Sequence, residues 1–413
     1  MTLIQELRWR GMIQDIMPGT EELFEKEQVS GYIGFDPTSD SLHIGSLVPI
    51  LLLVHLQRAG HKPVALVGGA TGMVGDPSGK SEERNLLSEE TLQFNLAGVQ
   101  KQLAHFLNFD PSLSNAAEMV NNYDWFKNFN FLDFIRDVGK HITVNYMMAK
   151  DSVKKRIEGD TGMSFTEFTY QLIQGYDFYW LYQNKNCKLQ MGGSDQWGNI
   201  TSGIDLIRRM AGGQAHAVTY PLITKSDGTK FGKSAEGAVW LDPTKTSPYK
   251  FYQFWINCAD DDVVRFLKIF TFLSPADITD LAGAQQSQPG ARLAHRRLAQ
   301  EVTALVHGES AVAAVERITA AIFSNRIDAL TEQDFAQLAQ DGLPSTHFDL
   351  SEVGLLATLF ESGLATTPKG EVTLGQAKKL ILGNSVSVNG VKLIDPEFKL
   401  QASAARYRHH CRK

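Results

Sequence analysis

The sequence predicts an α/β fold: a parallel-sheet domain with a helical insertion, then an α-helical region and a small α+β unit. Two observations support this prediction. Between about residues 29 and 223, short apolar runs alternate with Gly-rich turns and helix-length segments, a pattern typical of nucleotide-binding sheets. Near the other end of the chain, a basic helix-like stretch precedes two short strand-like runs with Asn389 and Gly390 between them, which indicates a β-hairpin.

The composition is that of a globular protein that stays out of membranes. The chain has 413 residues, 43% hydrophobic and 21% charged, which suggests two to three domains. Cys187, Cys258 and Cys411 form no CxxC pair, so we expect neither a disulfide framework nor a zinc site, and a reducing, cytoplasmic compartment. The most apolar run, LVPILLLVHL, is too short to span a bilayer. The net charge of -6 leaves any contact with RNA to a local basic patch.

Domain boundaries follow from the places where the pattern changes. Residues 1–222 hold four runs that predict buried strands: SGYIGF, KPVALVGG, KLQMGGSDQWGNI and AVTYPLIT. Within them, residues from about 103 to 155 predict a helical insertion, whose many aromatic residues suit either an ordinary core or a partner surface. Residues 223–325 predict a helical domain, 326–349 a Gly- and Pro-bearing linker, and 350–413 the small α+β unit.

The first chemical motif, FDPTSDSLHIGS, is a turn that leads from a strand into a helix. Asp40 or Ser41 is expected to cap a helix that begins near residues 42–43, and such a helix start offers free N–H groups to phosphate. His43 and Thr38 carry donors for phosphate oxygens. Gly45 lets a flat base or ribose approach the backbone. An ordinary capped helix with a surface histidine is the alternative.

The second motif, VGGATGMVGDPSGKSEER, is a Gly-rich loop. It fails as a P-loop because Val74 occupies the position of the first glycine, and its glycine spacing also differs from the dinucleotide fingerprint. What remains is a loop whose Lys80 and Arg84 suit a polyphosphate, while Asp76 suits an ammonium group. A solvated flexible loop is the alternative.

Three further stretches place polar groups near the same predicted strand ends. In SFTEFTYQLIQGYDF, Tyr170, Gln174 and Asp177 fall on one helical face. This face suits either the wall of a pocket or the exposed side of a half-buried helix, and the stretch alone does not distinguish the two. In QMGGSDQWGN, backbone N–H groups and carboxamide or carboxylate side chains follow a strand and suit a ribose or a carboxylate. In TKSDGTKFGKS, Lys230 and Lys233 form a short basic run of the kind that is usually a solvated loop.

Taken together, these stretches resemble one enzyme family. HIGS followed by KFGKS is similar to the HIGH and KMSKS motifs of class I aminoacyl-tRNA synthetases. More narrowly, YIGFDPTSDSLHIG, GGATGMVGDPSGKS, NNYDW, SFTEFTYQLIQGYDF and GGSDQWGNI resemble the bacterial tyrosyl-tRNA synthetases, from about residue 5 to about residue 400. The resemblance implies a Rossmann-like catalytic domain, a helical anticodon-side domain and a small RNA-binding domain.

The resemblance also assigns roles by position. It implies that catalysis depends on Thr38, His43, Lys80, Arg84, Lys230 and Lys233. It implies that the amino-acid substrate is bound by Tyr32, Asp76, Tyr170, Gln174, Asp177 and Gln196, with Tyr32 and Asp177 on the phenol. It implies that ATP is bound by Gly34, Asp36, Gly45, Ser46, Gly192, Asp195 and Lys233.

The expected activity is ligation of tyrosine to tRNA. L-Tyrosine and ATP give tyrosyl-adenylate and pyrophosphate, and the tyrosyl group then passes to the 3' end of tRNA(Tyr). Mg²⁺ is expected to accompany ATP, although no dedicated set of protein ligands for a metal is evident. The resemblance further implies a homodimer through the helical insertion. Contacts with tRNA are expected from basic residues near the end of the chain, Lys378, Lys379, Lys392, Arg406 and Arg408.

Departures from the family pattern leave alternatives open. Ser46 replaces the second histidine of HIGH, and Ile33 stands where many relatives have a ribose-contacting cysteine. The tail after about Leu400 lacks an apolar final strand, which puts the end of the RNA-binding unit in doubt. A tryptophanyl-tRNA synthetase, which Tyr32 and Asp177 disfavour, and a catalytically silent RNA-binding relative are the alternative functions. An ATP-hydrolysing P-loop enzyme is disfavoured by the glycine misfit.

Overall fold

The structure is a computed structural model that describes residues 1–78, 87–158, 162–229, 231–234, 237–324, 326–346, 348, 352–388, 390–401 and 409–411. The chain divides into two compact units, one of residues 1–242 and 258–298 and the other of residues 243–257 and 299–413. The boundaries expected at residues 222, 325 and 349 stay predictions. Among the described residues, no helix combines the length and the apolar character needed to cross a membrane.

The described α-helices are numbered in chain order. They are α1 (Leu3–Arg10), α2 (Thr20–Lys26), α3 (Leu47–Arg58), α4 (Glu89–Phe106), α5 (Tyr123–Phe126), α6 (Phe131–Asp137), α7 (Val144–Met148), α8 (Asp151–Ile157), α9 (Phe165–Lys185), α10 (Trp197–Ala211), α11 (Pro248–Ile256), α12 (Asp260–Phe270), α13 (Pro275–Ser287), α14 (Leu293–His307), α15 (Glu309–Ser324), α16 (Glu332–Gln340), α17 (Leu355–Glu361) and α18 (Leu374–Leu382). Short 3₁₀ turns precede α3 and α10, at Ile44–Ser46 and Ser194–Gln196.

The described strands form one large sheet and three small ones. They are β1 (Asp15–Ile16), β2 (Ser30–Phe35), β3 (Lys62–Val67), β4 (Glu118–Asn121), β5 (Cys187–Gly193), β6 (His216–Tyr220), β7 (Lys233–Ser234), β8 (Gly237–Ala238), β9 (Glu352–Gly354), β10 (Val386–Val388), β11 (Val391–Leu393), β12 (Lys399–Gln401) and β13 (His409–Cys411). The four strands predicted between residues 29 and 223 are confirmed as β2, β3, β5 and β6.

The large sheet determines where a ligand can bind. Its strand order is β1-β6-β5-β2-β3-β4. All neighbours from β6 to β4 pair in parallel, whereas the edge strand β1 pairs antiparallel with β6, so the sheet is mixed. The chain leaves β2 toward β3 and β4 and returns on the other side of β2 with β5. The crevice at the carboxyl ends of β2 and β5 is therefore the topological switch point, where ligands bind in such sheets.

Local sequence explains how the helices around the sheet begin and pack. A capping box between Thr2 and Gln5 starts α1, and Gly11 ends it with a φ of 73°. The apolar run LVPILLLVHL forms the buried helix α3, as its length predicts. Helices α9 and α10 approach closely at Gly203, where an added Cβ would lie 2.8 Å from the Cβ atom of Phe178. These contacts hold α9 against the sheet.

The predicted helical insertion is only partly helical. Residues 103–106 end α4, and β4 (Glu118–Asn121) then adds a parallel edge strand beside β3. The expectation of helix over these four strand residues is wrong, because a four-residue strand is too short to show the alternation that identifies longer ones. Short helices α5 to α8 follow, as expected for residues up to 155.

The second unit contains a helix inside the predicted linker. Helix α16 lies within residues 326–349, so the linker prediction is wrong for these nine residues. Thr331 and Asp334 form a capping box at its start, and Phe335 and Leu338 are buried against Ile318 and its neighbours. The predicted linker signals, Gly and Pro, occur only after this helix ends.

The last part of the second unit is the small α+β unit. Its helix α18 is followed by the predicted hairpin of β10 and β11, which pair antiparallel, with Gly390 at a φ of 83° between them. Strand β13 (His409–Cys411) pairs with the other edge of β10. The tail, whose lack of an apolar run put the end of this unit in doubt, thus contributes a strand, because strand pairing uses backbone groups and does not require an apolar run.

Candidate active site

The carboxyl ends of β2 and β5 border a cavity of about 320 Å³. The described residues that line it include Tyr32, Gly34, Asp36, Thr38, His43, Gly45, Ser46, Asp76, Tyr170, Gln174, Asp177, Gly192, Asp195 and Gln196. All of these were predicted as site residues, from motifs as far apart in the sequence as residues 32 and 196. The fold brings them together because each motif follows a strand of the sheet or lies on α9, which packs against it.

The innermost end of the cavity holds two buried polar side chains. Tyr32 on β2 and Asp177 on α9 are each only 1% exposed. Asp177 accepts hydrogen bonds from Asn122 Nδ2 at 3.0 Å and from Trp125 Nε1 at 2.9 Å, one on each carboxylate oxygen. The Tyr32 hydroxyl has no hydrogen-bond partner among the described residues. This end is thus a buried pocket in which a fixed carboxyl group lies beside a hydroxyl that lacks a partner in the described chain.

Electrostatics at this end favour protonated groups. Burial raises the pKa of Asp177 to about 8, against the two donors that lower it. Burial, with the nearby Asp177, raises the pKa of Tyr32 well above its usual value, so its hydroxyl keeps its proton at neutral pH. Both groups can therefore exchange hydrogen bonds with a neutral hydroxyl of a ligand.

Asn122 connects the two halves of the cavity. It is fully buried, and besides Asp177 it contacts the Thr71 hydroxyl at 3.2 Å and accepts a hydrogen bond from the backbone N–H of Ala70 at 2.7 Å. Thr71 in turn donates to Asp36 Oδ1 at 2.6 Å. A continuous chain of hydrogen bonds therefore runs from the innermost carboxyl group to the carboxylate at the end of β2.

The wall of α9 completes the middle of the cavity. The Tyr170 hydroxyl donates to Asp36 Oδ2 at 2.9 Å, and burial raises the pKa of Tyr170 well above its usual value. Gln174 lies one helical turn further and also lines the cavity. The predicted alignment of Tyr170, Gln174 and Asp177 on one face is confirmed, since all three face the same cavity.

A second hydrogen-bond cluster lies on the β5 side. Gln196 Nε2 donates to Asp76 Oδ2 at 2.7 Å, and the backbone N–H of Ser78 donates to the other oxygen at 2.9 Å. Asn199 Nδ2 supports the Gln196 side-chain oxygen at 3.2 Å. Burial, with the nearby Asp76 carboxylate, raises the pKa of Asp195.

The cavity carries a strongly acidic lining. Four carboxyl groups line it, from Asp36, Asp76, Asp177 and Asp195, and none of its described lining residues is Lys or Arg. Such a lining suits a positively charged ammonium group. A polyphosphate would have to be neutralised by cations that do not belong to this lining. Among the described residues, no cluster of His, Cys, Asp and Glu has the arrangement of a metal site.

The outer edge of the cavity is the turn before α3. The cap of this turn is His43, whose Nδ1 accepts from the backbone N–H of Gly45 at 3.0 Å. The predicted cap by Asp40 or Ser41 is wrong, because the Ser41 hydroxyl instead donates to the backbone carbonyl of Leu42 at 2.8 Å and accepts from Gln102. Thr38 and His43 are exposed here, and Ser46 makes no capping hydrogen bond.

The segment that carries the lysine pair reaches this same edge. A Cβ added to Gly232 would lie 3.6 Å from both the backbone nitrogen of Gly45 and the Nδ1 atom of His43. Lys233 begins β7, and nothing is described of its side chain. Lys80, Arg84 and Lys230 lie outside the described residues, as do Arg406 and Arg408 from the predicted RNA-binding set.

Two supporting residues of the cavity were not assigned from the sequence. Asn122 and Trp125 hold Asp177 although both lie in the insertion, more than 50 positions earlier in the chain. Their stretch, NNYDW, was one of those that resemble the family, and that resemblance was the signal that pointed to it. Trp125 also stacks on Trp180 of α9, with ring centroids 4.2 Å apart and planes 13° from parallel.

Comparison with known proteins identifies relatives over nearly the whole chain. A family model described as tRNA synthetases class I (W and Y) matches residues 25–324. A tyrosine–tRNA ligase of Bacteroides thetaiotaomicron is 55% identical over 405 residues, which cover 95% of this chain and 92% of that protein. A tyrosine–tRNA ligase of Parabacteroides distasonis is 54% identical over 410 residues, which cover 98% of this chain and 95% of that protein.

Solved structures resemble the same part of the chain. A C-terminally truncated mitochondrial tyrosyl-tRNA synthetase of Aspergillus nidulans matches with a TM-score of 0.69 and 32% identity, over 76% of this chain and 92% of its own. A tryptophanyl-tRNA synthetase of Encephalitozoon cuniculi matches with a TM-score of 0.56 and 15% identity, over 74% of this chain and 86% of its own. At that identity the second match shows a shared fold alone.

Proposed function

Because this chain belongs to the tyrosine–tRNA ligases, a branch of the class I tRNA synthetases, we propose that the cavity at the ends of β2 and β5 is where it activates tyrosine. The enzyme joins tyrosine to tRNA(Tyr) with ATP as the energy-supplying substrate. Tyrosyl-adenylate and pyrophosphate form first, and the tyrosyl group then passes to the 3' end of the tRNA.

The observation that carries the site assignment is the pair at the innermost end of the cavity. The buried Tyr32 hydroxyl, which lacks a partner in the described chain, and the fixed Asp177 carboxyl group match the donor and acceptor needs of a phenol. A phenylalanine side chain would leave the Tyr32 hydroxyl buried without a partner, which costs roughly 1–3 kcal/mol, and would give Asp177 no hydrogen bond beyond those from Asn122 and Trp125. An indole offers only a donor, and from a larger ring, so tryptophan fits this pair less well.

The rest of the amino acid is proposed to lie along the acidic middle of the cavity. Its ammonium group would be bound by Asp76, Tyr170 and Gln174, and its carboxylate would lie near Gln196. The reacting carboxylate is already ionised at neutral pH, so the first step requires no general base and no covalent enzyme intermediate. The chain has to align the carboxylate with the α-phosphorus of ATP and exclude water from the reacting atoms.

ATP is proposed to bind at the outer edge. The backbone of Gly34, Gly45 and Gly192 leaves room for adenosine, and the side chains of Asp36, Asp195 and Ser46 offer it polar contacts. Thr38 and His43 would donate to the phosphates as charge moves onto the leaving pyrophosphate. Because the cavity itself supplies no Lys or Arg among its described lining residues, we assign the remaining charge stabilisation to Lys80, Arg84, Lys230 and Lys233. Mg²⁺ would accompany the nucleotide and shield its phosphates.

Binding of tRNA is proposed for the small α+β unit. Lys378 and Lys379 are exposed on α18, and Lys392 is exposed on β11, where its ammonium group donates to the backbone carbonyl of Asn384 at 2.7 Å. Arg406 and Arg408 add to this basic set in the sequence. Phosphate contacts of this kind weaken steeply with salt, so charging should be more salt-sensitive than tyrosine activation. Because charged tRNA is used by ribosomes, the cytoplasm is the compartment we propose.

We propose that the chain forms a homodimer through the helical insertion. Phe131, Leu132 and Val144 are 62%, 71% and 62% exposed, which is unusual for large apolar side chains that cluster on one region. Phe131 and Val144 also line a groove of about 710 Å³, whose described lining is almost entirely apolar and comes from α5, α6, α7, α9 and the turns between them. A second copy would cover both features at once, and sedimentation equilibrium of the purified chain should give twice the mass of 45.8 kDa.

The deciding experiment is amino-acid-dependent exchange of labelled pyrophosphate into ATP. Tyrosine should support exchange, whereas phenylalanine and tryptophan at the same concentration should not. Absence of exchange with every amino acid would contradict the enzymatic assignment. Exchange with tryptophan instead of tyrosine would move the substrate assignment to the other branch of the family.

A further inference from the structure

Helix α12 (Asp260–Phe270) anchors the stretch of residues 224–234, which we call the lysine segment. Asp262 is 2% exposed, and its Oδ2 atom accepts hydrogen bonds from the backbone N–H of Ser226 at 3.0 Å and from the Ser226 hydroxyl at 3.1 Å. Its other oxygen accepts from Arg265 at 2.6 Å, and Arg265 also donates to the carbonyl of Thr224. One buried carboxylate thus organises the start of the lysine segment.

An aromatic contact anchors the other end of the segment to the same helix. The Phe231 ring stacks on Phe270, with centroids 5.2 Å apart and planes 18° from parallel, and meets the edge of Phe266 at 5.2 Å. Phe266 and Phe270 are buried. In the sequence, Phe231 directly follows Lys230, so the backbone just after that lysine is held by α12.

The same stretch then runs past the outer edge of the cavity. After Phe231, Gly232 lies beside His43 and Gly45, and its carbonyl accepts from the N–H of Val239 at 3.3 Å. The carbonyl of Val239 accepts from the N–H of Ile44 at 2.9 Å. The segment is therefore fixed both to α12 and to the turn that we propose handles phosphate.

Helix α12 is itself held at its carboxyl end. The buried Arg10 guanidinium donates to the carbonyls of Lys268 at 2.8 Å, Thr271 at 2.7 Å and Leu273 at 3.1 Å. The Lys268 carbonyl is one that a helix end leaves without an intrahelical partner, and the other two belong to the residues that directly follow the helix. Because α1 supplies Arg10, the anchor for the lysine segment is part of the rigid catalytic unit.

From these contacts we propose that Asp262 is a positioning residue for tyrosine activation, which acts by fixing the stem of the lysine segment to α12. The proposal rests on the function proposed above for the cavity, and it adds a residue that lies in none of the motifs. Asp262 touches neither substrate. Asp262 fixes the position of the start of the lysine segment, whose lysines we propose act on the phosphates. A change at Asp262 should therefore affect the step that involves ATP and leave tyrosine binding unchanged.

The test compares Asp262→Ala with a matched control, Asp261→Ala, in the full-length protein. Asp261 is the exposed neighbour in the same helical turn, so the control removes the same charge without touching the lysine segment. Three quantities are measured: the kcat and ATP KM of pyrophosphate exchange, the Kd for tyrosine, and the rate of transfer from preformed tyrosyl-adenylate to tRNA. We expect Asp262→Ala to lower kcat/KM for ATP about tenfold or more, since hydrogen bonds to a buried charge are lost. Tyrosine Kd and transfer should stay within about twofold of the control.

Two further variants refine this test. Asp262→Asn keeps an oxygen that can accept from Ser226, so it should recover part of the lost exchange. Ser226→Ala removes only the hydroxyl contact from an exposed position and cannot unfold the core, and it should lower exchange about threefold. If Asp262→Ala does not fold, Ser226→Ala with unchanged exchange overturns the proposal.

The outcomes separate this inference from the proposed function. Wild-type exchange with tyrosine is measured first, on the same preparation, and its absence would contradict both. If the wild type exchanges and Asp262→Ala matches Asp261→Ala, only the positioning role is overturned. A parallel loss of tyrosine affinity would also overturn it, because a general disturbance of the unit would then explain the effect.

Discussion

The innermost end of the cavity and its outer edge are built in opposite ways. At the inner end, Tyr32 and Asp177 are nearly inaccessible, and Asp177 is fixed by the buried Asn122 and the half-buried Trp125. At the outer edge, Thr38 and His43 are exposed, and the nearby lysine segment is anchored to α12 through Ser226 and Phe231. One cavity thus combines an inner end whose polar groups are buried and fixed with an outer edge to which separate segments of the chain contribute.

The difference follows from what each end has to recognise. Choosing one amino acid by its hydroxyl requires polar groups that are already buried and oriented, because leaving them unpaired penalises the wrong side chain. Stabilising charge on departing pyrophosphate requires positive groups at the phosphates, and the described lining of the cavity contains no Lys or Arg. We therefore expect substitutions at the inner end to change tyrosine affinity strongly and those at the edge to change ATP kinetics modestly.

The largest effect is expected from Asp177→Asn. An amide in this position would point its NH₂ group at one of two donors, Asn122 Nδ2 or Trp125 Nε1, so one buried hydrogen bond becomes a repulsion. A loss of about 3 kcal/mol, or roughly a hundredfold in kcat/KM for tyrosine, should follow in the exchange assay. Asp124→Asn, an exposed neighbour of Trp125, is the control, and a fall of less than threefold for Asp177→Asn would contradict this view of the inner end.

A smaller effect is expected from Tyr32→Phe. The change removes a hydroxyl that has no partner in the described chain, so tyrosine should bind about tenfold more weakly and discrimination against phenylalanine should narrow. Protein stability should stay the same or rise, since a buried unpaired group is lost. Isothermal titration with both amino acids and thermal unfolding measure these quantities, and Tyr182→Phe on α9, outside the cavity lining, is the control. Unchanged tyrosine affinity would rule out a role for this hydroxyl in binding.

The buried carboxyl group also predicts a pH dependence of stability. Burial raises the pKa of Asp177 to about 8, whereas the same group ionises near about 4 in an unfolded chain. Between these values the folded chain keeps a proton that the unfolded chain has released, so raising the pH lowers the free energy of unfolding. Wild-type Tm should fall by a few degrees more than that of Asp177→Asn between about pH 5 and pH 8. Parallel curves for the two proteins would contradict the raised pKa.

The smallest effect is expected from Ser46→His, at the outer edge. Ser46 lines the cavity but makes no capping hydrogen bond, and an imidazole would reach further toward the nucleotide. We expect the KM for ATP to fall about twofold to threefold, the effect of one added solvent-exposed hydrogen bond, with no change in the KM for tyrosine. Unchanged ATP kinetics would show that the position is neutral in this chain.

The sequence predicted the residues that line the cavity better than the residues that hold those side chains in place. Its lining residues follow strands β2 and β5 or share a face of α9, and strand ends and helical faces are visible as local patterns. The support of Asp177 by Asn122 is not local, because 55 positions separate the two residues. Asp262 was missed for the same reason, since its partner Ser226 lies 36 positions away and Asp262 itself stands outside every recognised motif.

Three predictions of local structure were wrong, at β4, at α16 and at the cap before α3. Strand β4 is too short for its alternation to be seen, and helix α16 depends on the burial of Phe335 and Leu338 by residues that precede it by many turns. The cap at His43 was assigned to Ser41 because serine is the commoner cap, yet here that hydroxyl is already used by the backbone of Leu42. At β4 and α16 a tertiary contact decided between two locally acceptable conformations, whereas the cap was decided by a contact of Ser41 with the adjacent residue.

The stacked pair of Trp125 and Trp180 gives this chain a built-in optical signal. Two parallel indoles 4.2 Å apart couple their electronic transitions, and one of them is hydrogen-bonded to the carboxyl group that we propose meets the substrate. Arrival of a phenol at Asp177 should therefore alter the near-ultraviolet circular dichroism and the fluorescence of the pair. Occupancy of the amino-acid pocket could then be followed in real time, without a label and before any nucleotide is added.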